Sequence, residues 1–140
     1  MSGANEPLRI QVPPPCDLTL GMICTDKATP GRTTWAMSAD ERFANPVGIL
    51  QGGFLAALCD SAMAASTLTW AADRGMRVVP ANVELKCSYL KATRIGSTLT
   101  CTAWVLSGGR RTCFLEAEIV DEAERLVAKA SSTYLLTERA

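Results

Sequence analysis

One carboxylate is prominent in the sequence because no other charged residue lies near it. Asp60 is the only charged residue between Gly52 and Ala72, in a stretch rich in Ala, Leu, Met, Ser and Thr. Burying a carboxylate without a partner is strongly unfavourable, and Asp is a weak helix former. We therefore expect Asp60 either to serve as a general base or nucleophile, or to be a structural acid bound by a neighbouring hydroxyl such as Ser61 or Ser88.

Two glycines precede this stretch and could form an oxyanion-binding site. Gly52 and Gly53 leave the backbone N–H groups at the start of the predicted helix free of side-chain cover. These first N–H groups have no partner within a helix, and the helix dipole there favours negative charge. A carbonyl oxygen bound to them would be polarised. The alternative is that the glycines only allow close packing where the chain enters the helix.

Two further motifs carry groups that could contact a substrate. Asn45 precedes Pro46, and its side chain could orient a water or a carbonyl, or could form an Asx turn. Arg110 and Arg111 follow a Gly-Gly pair at a predicted hairpin tip, where they could bind phosphate or remain solvated turn charges.

The elements that position these groups follow from hydrophobic periodicity. After Gly52 and Gly53 the chain has no Pro and no further Gly until Gly75, and this run is too long for a typical strand, which favours a helix. Because this helix is apolar or small on every side, it must be buried on every side. Strands are predicted at 18–28, 32–38, 82–89, 98–105, 113–119 and 126–136, with a short turn at 40–44 and an irregular Pro-rich segment at 1–17.

The pattern of the second half is a strict alternation of apolar and polar residues. Val83, Leu85, Cys87 and Tyr89 are expected to share one face of their strand. The last three strands are joined by tight turns and must be antiparallel neighbours. Residues 18–140 are therefore expected to form a single α+β domain.

The spacing of Gly52 and Asp60 predicts an oligomer. They are eight residues apart, so about 12 Å separates them along a helix that rises ~1.5 Å per residue. A single carbonyl cannot touch both groups of one helix. If both act on one carbonyl, they come from two chains related by a two-fold axis, and the smallest assembly is a homodimer. A helix without a polar face also favours a second subunit that closes its open side.

Composition excludes several other classes of protein. The 140 residues carry 14 basic and 14 acidic groups, so no net charge favours nucleic acid or an anionic membrane. The absence of histidine excludes Ser-His-Asp and Cys-His catalysis and the usual zinc sites, and we expect no metal. The six cysteines have no CxxC spacing, and four lie in apolar patterns, so we expect thiols in a reducing cytoplasm.

Taken together, these residues resemble the hotdog-fold acyl-CoA thioesterases of the phenylacetyl-CoA type. The family pattern of Asn, Gly, His-Gly-Gly and a helical Asp corresponds here to Asn45, Gly48, Gln51-Gly52-Gly53 and Asp60, with the family spacing kept. The resemblance covers about 32–136. It implies a five- to six-stranded antiparallel sheet wrapped around one long central helix, in a homodimer or homotetramer.

The resemblance also implies a function and roles for residues. It implies hydrolysis of an acyl-CoA thioester, possibly aryl or medium-chain, to free acid and CoA, with no cofactor besides the CoA of the substrate. Asp60 would be the base or nucleophile, the Gly52 N–H would polarise the carbonyl, and Asn45 would position the carbonyl or the water.

Five other residues would bind the substrate: Gln51, Gly53, Asn82, Arg110 and Arg111. Asn82 holds the place of an assisting Ser or Thr of the family. Gln51 stands where the family usually has His, and this departure favours the alternative function, a non-catalytic acyl-CoA binding or sensing module of the same fold.

Overall fold

The computed structural model of the protein describes residues 11–139, in which one long helix lies against a curled antiparallel sheet. Within these residues the elements are, in chain order, α1 Pro15–Leu20, β1 Ile23–Asp26, β2 Arg32–Ser38, α2 Gly52–Asp73, β3 Val78–Tyr89, β4 Thr98–Gly108, β5 Thr112–Val120 and β6 Leu126–Glu138, with a 3-10 turn at Glu41–Phe43 between β2 and α2. The strand order is β1-β2-β4-β5-β6-β3. The predicted α+β arrangement, with a sheet around a central helix, is confirmed.

The core lies between α2 and the inner face of the sheet. The predicted alternation in β4 and β5 is confirmed, because every second residue is buried: Leu99, Cys101 and Ala103 in β4, and Cys113, Leu115, Ala117 and Ile119 in β5. On α2, Leu58, Cys59, Ala62 and Met63 are fully buried. All six cysteines are free thiols, and three of them are buried as small apolar side chains.

The helix α2 begins and ends at the signals that the sequence carries. Gln51 is its N-cap, and Gly75 after the C-terminus has a φ of 71°, which only glycine adopts readily. Arg74 donates to the carbonyl of Trp70 and stacks over its ring at 4.2 Å. By length and composition alone α2 could cross a membrane, and half of its apolar window is buried inside this fold.

The N-terminal region differs from the prediction of an irregular segment at 1–17 and a strand at 18–28. Residues 1–10 lie outside the described residues. Pro15–Leu20 form a helix, because Pro15 suits a first helical position and Gly21, with a φ of 71°, ends it. The strand is confined to Ile23–Asp26. The buried Asp17 accepts a hydrogen bond from Ser61 at 2.9 Å, which ties α1 to α2.

The alternation predicted for the strand after the helix is wrong at Val83. The pairing of β3 with β6 shifts between Asn82 and Glu84, which is a β-bulge. Val83 is 58% exposed, while Leu85 and Cys87 pack against the core as predicted. The extra residue places the Asn82 side chain against Tyr134 and α2. A bulge therefore brings a polar group to the inner face of the sheet.

Candidate active site

Asp60 is half-buried on α2, and its carboxylate is held by partners other than those expected from the sequence. Asn82 donates to Oδ1 at 2.9 Å, and the Tyr134 hydroxyl donates to the same oxygen at 2.5 Å. The expected partners were wrong. Ser61 donates to Asp17, and Ser88 makes no side-chain hydrogen bond within residues 11–139. Asp60 is therefore a satisfied acid, but its side-chain hydrogen bonds within residues 11–139 are all on one oxygen.

Asn82 is fixed in turn by its neighbours on the sheet. Its Oδ1 accepts from the Ser132 hydroxyl at 2.7 Å and from the Glu84 N–H at 3.1 Å. Because its amide oxygen is engaged in this way, the Nδ2 group must face Asp60. Asn82 therefore orients the carboxylate of Asp60, and its predicted contact with substrate or water stays a prediction.

Sequence reasoning missed Tyr134, which was assigned only to the last strand. Its side chain is almost fully buried, and its hydroxyl lies 2.8 Å from the Asp60 carbonyl oxygen as well as 2.5 Å from Oδ1. Burial, together with the hydrogen bond to Asp60, raises the pKa of Tyr134 above its usual range. The phenol therefore stays protonated at neutral pH and acts as the donor. The sequence did carry a signal for this residue. Tyr134 falls on the buried side of its strand, where a tyrosine hydroxyl needs a polar partner.

A cleft of about 420 Å³ opens beside Asp60. From α2 it is lined by Gly53, Ala56, Ala57 and Asp60, whose spacing of three and four residues places them on one helix face. Its other wall is β3, from Asn82 to Leu85. Gly53, predicted to contact substrate, therefore lies in the same cleft as Asp60. The small side chains leave room beside the carboxylate.

Gly52 lies in a different cleft, of about 340 Å³, which it shares with Asn45 and Tyr89. A Cβ on Gly52 would come within 3.0 Å of the Tyr89 ring, so only glycine fits under this ring without a shift. As the first residue of α2, Gly52 has an N–H without an intrahelical partner, and no group in residues 11–139 accepts a hydrogen bond from it.

The Asn45 side chain forms the turn that the sequence left as one of two alternatives. Its Oδ1 accepts from the N–H groups of Val47 at 3.1 Å and Ile49 at 3.2 Å. The loop before α2 is therefore closed by Asn45 itself. Its Nδ2 group makes no hydrogen bond within residues 11–139 and is the part of the side chain that remains for a ligand.

Gln51, Arg110 and Arg111, which were also predicted to bind substrate, lie outside the lining of the Asp60 cleft. Gln51 is exposed and makes no side-chain cap, and its backbone N–H donates to Phe43. Arg110 is exposed at the β4–β5 hairpin, 3.7 Å from Glu138. That hairpin packs on Trp70, ten residues and about 15 Å beyond Asp60 along the helix. Within one chain, Arg110 and Arg111 are therefore not brought to the carboxylate.

The Asp60 carboxylate and the Gly52 N–H are two groups of α2 that could act on a substrate. The core helix of the curled sheet carries an oriented carboxylate in one cleft and, in another, an N-terminal N–H without a partner within residues 11–139. Within the described part of the chain, no group of three Asp, Glu or Cys side chains is close enough to hold a metal ion. Groups of these two kinds are suited to chemistry on an acyl carbonyl.

Comparison with known proteins shows the family. Residues 47–128 match the model of the Thioesterase superfamily, which is more than half of the chain, so the chain belongs to that superfamily. Acyl-coenzyme A thioesterase 13 of Homo sapiens is 29% identical over 115 residues, which cover 81% of this chain and 79% of that protein. The predicted class of enzyme, an acyl-CoA thioesterase, is confirmed.

Solved structures support the same fold. AziG of S. sahachiroi has a TM-score of 0.82 and 26% identity, covering 90% of this chain and 98% of that one. PaaI from the phenylacetic acid degradation operon of E. coli has a TM-score of 0.79 and 23% identity, covering 87% of this chain and 83% of that one. The predicted hotdog fold is therefore confirmed.

Proposed function

We propose that the protein hydrolyses an acyl-CoA thioester to the free acid and CoA, with Asp60 as general base. The observation that carries the proposal is the Asp60 carboxylate, whose Oδ1 is held by two donors. Its Oδ2 makes no hydrogen bond within residues 11–139, and Asp60 lines an open cleft where water has direct access. Membership of the thioesterase superfamily supports the reaction.

The reaction follows from the charges at the site. Oδ2 takes a proton from a water molecule as the water oxygen attacks the thioester carbon. The carbonyl oxygen becomes an oxyanion, which the Gly52 N–H at the positive end of α2 stabilises. The intermediate collapses with loss of the CoA thiolate, which is protonated to the thiol, while Asp60 returns its proton to solvent. We propose that no metal or bound cofactor takes part.

We propose that each site combines groups from two chains. Gly52 and Asp60 lie in separate clefts and about 12 Å apart along α2, at ~1.5 Å per residue. A partner with its helix antiparallel to the first would bring its own Gly52 and Asn45 to the Asp60 cleft. The smallest assembly is a homodimer, which two such units could extend to a homotetramer.

The CoA part of the substrate requires cationic partners. We propose that Arg110 and Arg111 bind its phosphates, because Arg110 is exposed and its ion pair with Glu138 is long at 3.7 Å. Since the hairpin lies far from Asp60 in one chain, this contact also depends on assembly. The small residues Ala56 and Ala57 beside Asp60 leave room for an aryl or medium-chain acyl group. A reducing cytoplasm would keep the six thiols free.

The function is tested by release of free thiol from a panel of aryl, short and medium-chain acyl-CoA substrates. Asp60→Asn keeps the shape of the side chain and removes the base, so hydrolysis should fall by at least ~100-fold. Binding of a non-hydrolysable analogue should persist. Near-normal turnover by the variant would contradict the role of Asp60.

A binding module without turnover is the second candidate. The observation that favours it is Gln51, an exposed amide at the N-cap of α2 where the resembled family usually carries His. The same assay separates the two functions. Tight binding of acyl-CoA by the unmodified protein, with no thiol released across the whole panel, would establish the binding module and reject the hydrolase.

A further inference from the structure

We propose that Tyr134 is a positioning residue for the hydrolysis. Its hydroxyl holds the Asp60 carboxylate so that Oδ2, and not Oδ1, faces the substrate. This inference rests on the proposed function and deepens it, because it names the oxygen of Asp60 that reacts and the group that selects it.

The contacts of the Tyr134 hydroxyl fix Asp60 at two points. The hydroxyl lies 2.5 Å from Oδ1 of the side chain and 2.8 Å from the carbonyl oxygen of the same residue. A group in contact with both the main chain and the side chain of Asp60 restricts rotation of that side chain. Tyr134 is 1% exposed, so its own ring is held by the surrounding core.

Asn82 is a second hydrogen-bond donor to the same oxygen of Asp60. The Nδ2 group of Asn82 reaches the same Oδ1 at 2.9 Å and lies 3.4 Å from the Tyr134 oxygen. Asn82 cannot turn over, because the backbone N–H of Glu84 donates to its amide oxygen at 3.1 Å and could not pair with the amide NH₂ group. Both donors therefore stand on the sheet side of the carboxylate. One carboxylate oxygen is therefore held on the sheet side, and the other remains on the cleft side.

Sheet pairing explains why these groups meet. Asn82 of β3 is directly opposite Tyr134 of β6, on the face of the sheet that covers α2. The β-bulge at Val83 follows immediately and allows both Asn82 and Leu85 to face inwards. A regular strand would place Asn82 and Leu85 on opposite faces. The bulge therefore helps to place Asn82 where it can orient the Asp60 carboxylate.

The orientation has a chemical consequence. A base works only if the oxygen that takes the proton is within hydrogen-bond reach of the attacking water. Without the Tyr134 hydroxyl, Asp60 would keep a single donor on Oδ1 and would sample other rotamers. Substrate binding would change little, because Tyr134 does not line the Asp60 cleft. Loss of the hydroxyl should therefore lower kcat and not raise KM.

The first test is Tyr134→Phe, which removes only the hydroxyl. Loss of a hydrogen bond to a charged group should lower kcat by about 10- to 100-fold, with KM within about threefold of the normal value. The matched control is Thr67→Val, which removes a buried hydroxyl from α2, the helix of Asp60. Thr67 donates to the carbonyl of Met63 at 3.0 Å, and loss of this contact should leave kcat unchanged.

A double-mutant cycle separates positioning from general support of the fold. If Tyr134 acts through Asp60, the variant with both Asp60→Asn and Tyr134→Phe should be as slow as Asp60→Asn alone. If instead Tyr134→Phe slows Asp60→Asn by the same factor as it slows the unmodified enzyme, the proposal is wrong. A rise in KM with unchanged kcat would also overturn it.

A measurement without substrate keeps the inference separate from the proposed function. A short hydrogen bond between a phenol and a carboxylate gives a proton resonance far downfield in the NMR spectrum. This resonance should be present in the unmodified protein, absent from Tyr134→Phe and retained in Thr67→Val. If it is present but no thioester is hydrolysed, the proposed function fails while the contact stands. If it is absent from the unmodified protein, the positioning proposal fails.

Discussion

Two inactive variants of this chain should restore activity when their subunits are mixed. Asp60→Asn removes the base, and Gly52→Pro removes the proposed donor N–H. In one chain these groups are about 12 Å apart along the helix, at ~1.5 Å per residue. A reacting water and carbonyl carbon must approach to about 3 Å, so one helix cannot supply both groups to one carbonyl.

The size of the recovery follows from the symmetry of a dimer. In a heterodimer of the two variants, one site carries both lesions and the other site carries neither. Random exchange of subunits makes about half of the dimers heterodimers, each with one intact site out of two, so roughly a quarter of the normal activity should return. If both groups of a site came from one chain, no heterodimer would contain an intact site.

The structure shows why Gly52→Pro can be used. Gly52 is the first residue of α2, where proline is favoured, and Gln51 before it has φ −63° and ψ 131°, a conformation that suits a residue preceding proline. The new ring must displace the Tyr89 ring, which is 52% exposed in the single chain. Circular dichroism and sedimentation must show that the variant is folded and of normal assembly.

The assay is thiol release before and after mixing, with subunit exchange measured independently by native mass spectrometry. Each variant alone should be nearly inactive. If exchange is complete and both variants are folded, but the mixture is no more active than its components, the two-chain site is refuted.

Two further predictions concern the same groups. Gly53→Ala should raise the free energy of unfolding by about 0.4–1 kcal/mol, because its Cβ meets nothing within 4 Å, whereas Gly52→Ala should gain less since its Cβ would lie 3.0 Å from the Tyr89 ring; equal gains in urea unfolding would contradict this packing. A single turnover in ¹⁸O-labelled water should place the label in the product acid alone if Asp60 is a general base, and label found in Asp60 by mass spectrometry would show that it is a nucleophile.

Much of the fold was predictable because its signals are local. The length and composition of 52–72 predicted α2, and the alternation in β4 and β5 predicted which residues would be buried. Periodicity reports the environment of a strand or helix from neighbouring residues alone. The prediction was wrong at Pro15–Leu20, where six residues are too few to show a period, and at Val83, where one inserted residue reverses the alternation.

For the candidate site, too, some features were predictable from local sequence and others were not. The sequence by itself determined that Asp60 is the unusual acid of a buried helix and that Gly52 opens that helix, because both follow from residue types and spacing. Only the tertiary structure decided what holds the acid. Tyr134 lies 74 positions from Asp60, and it reaches Oδ1 because β6 pairs with β3 in a register that a bulge completes. Hydrogen bonds act over about 3 Å, so partners distant in sequence are chosen by strand pairing and not by any local pattern.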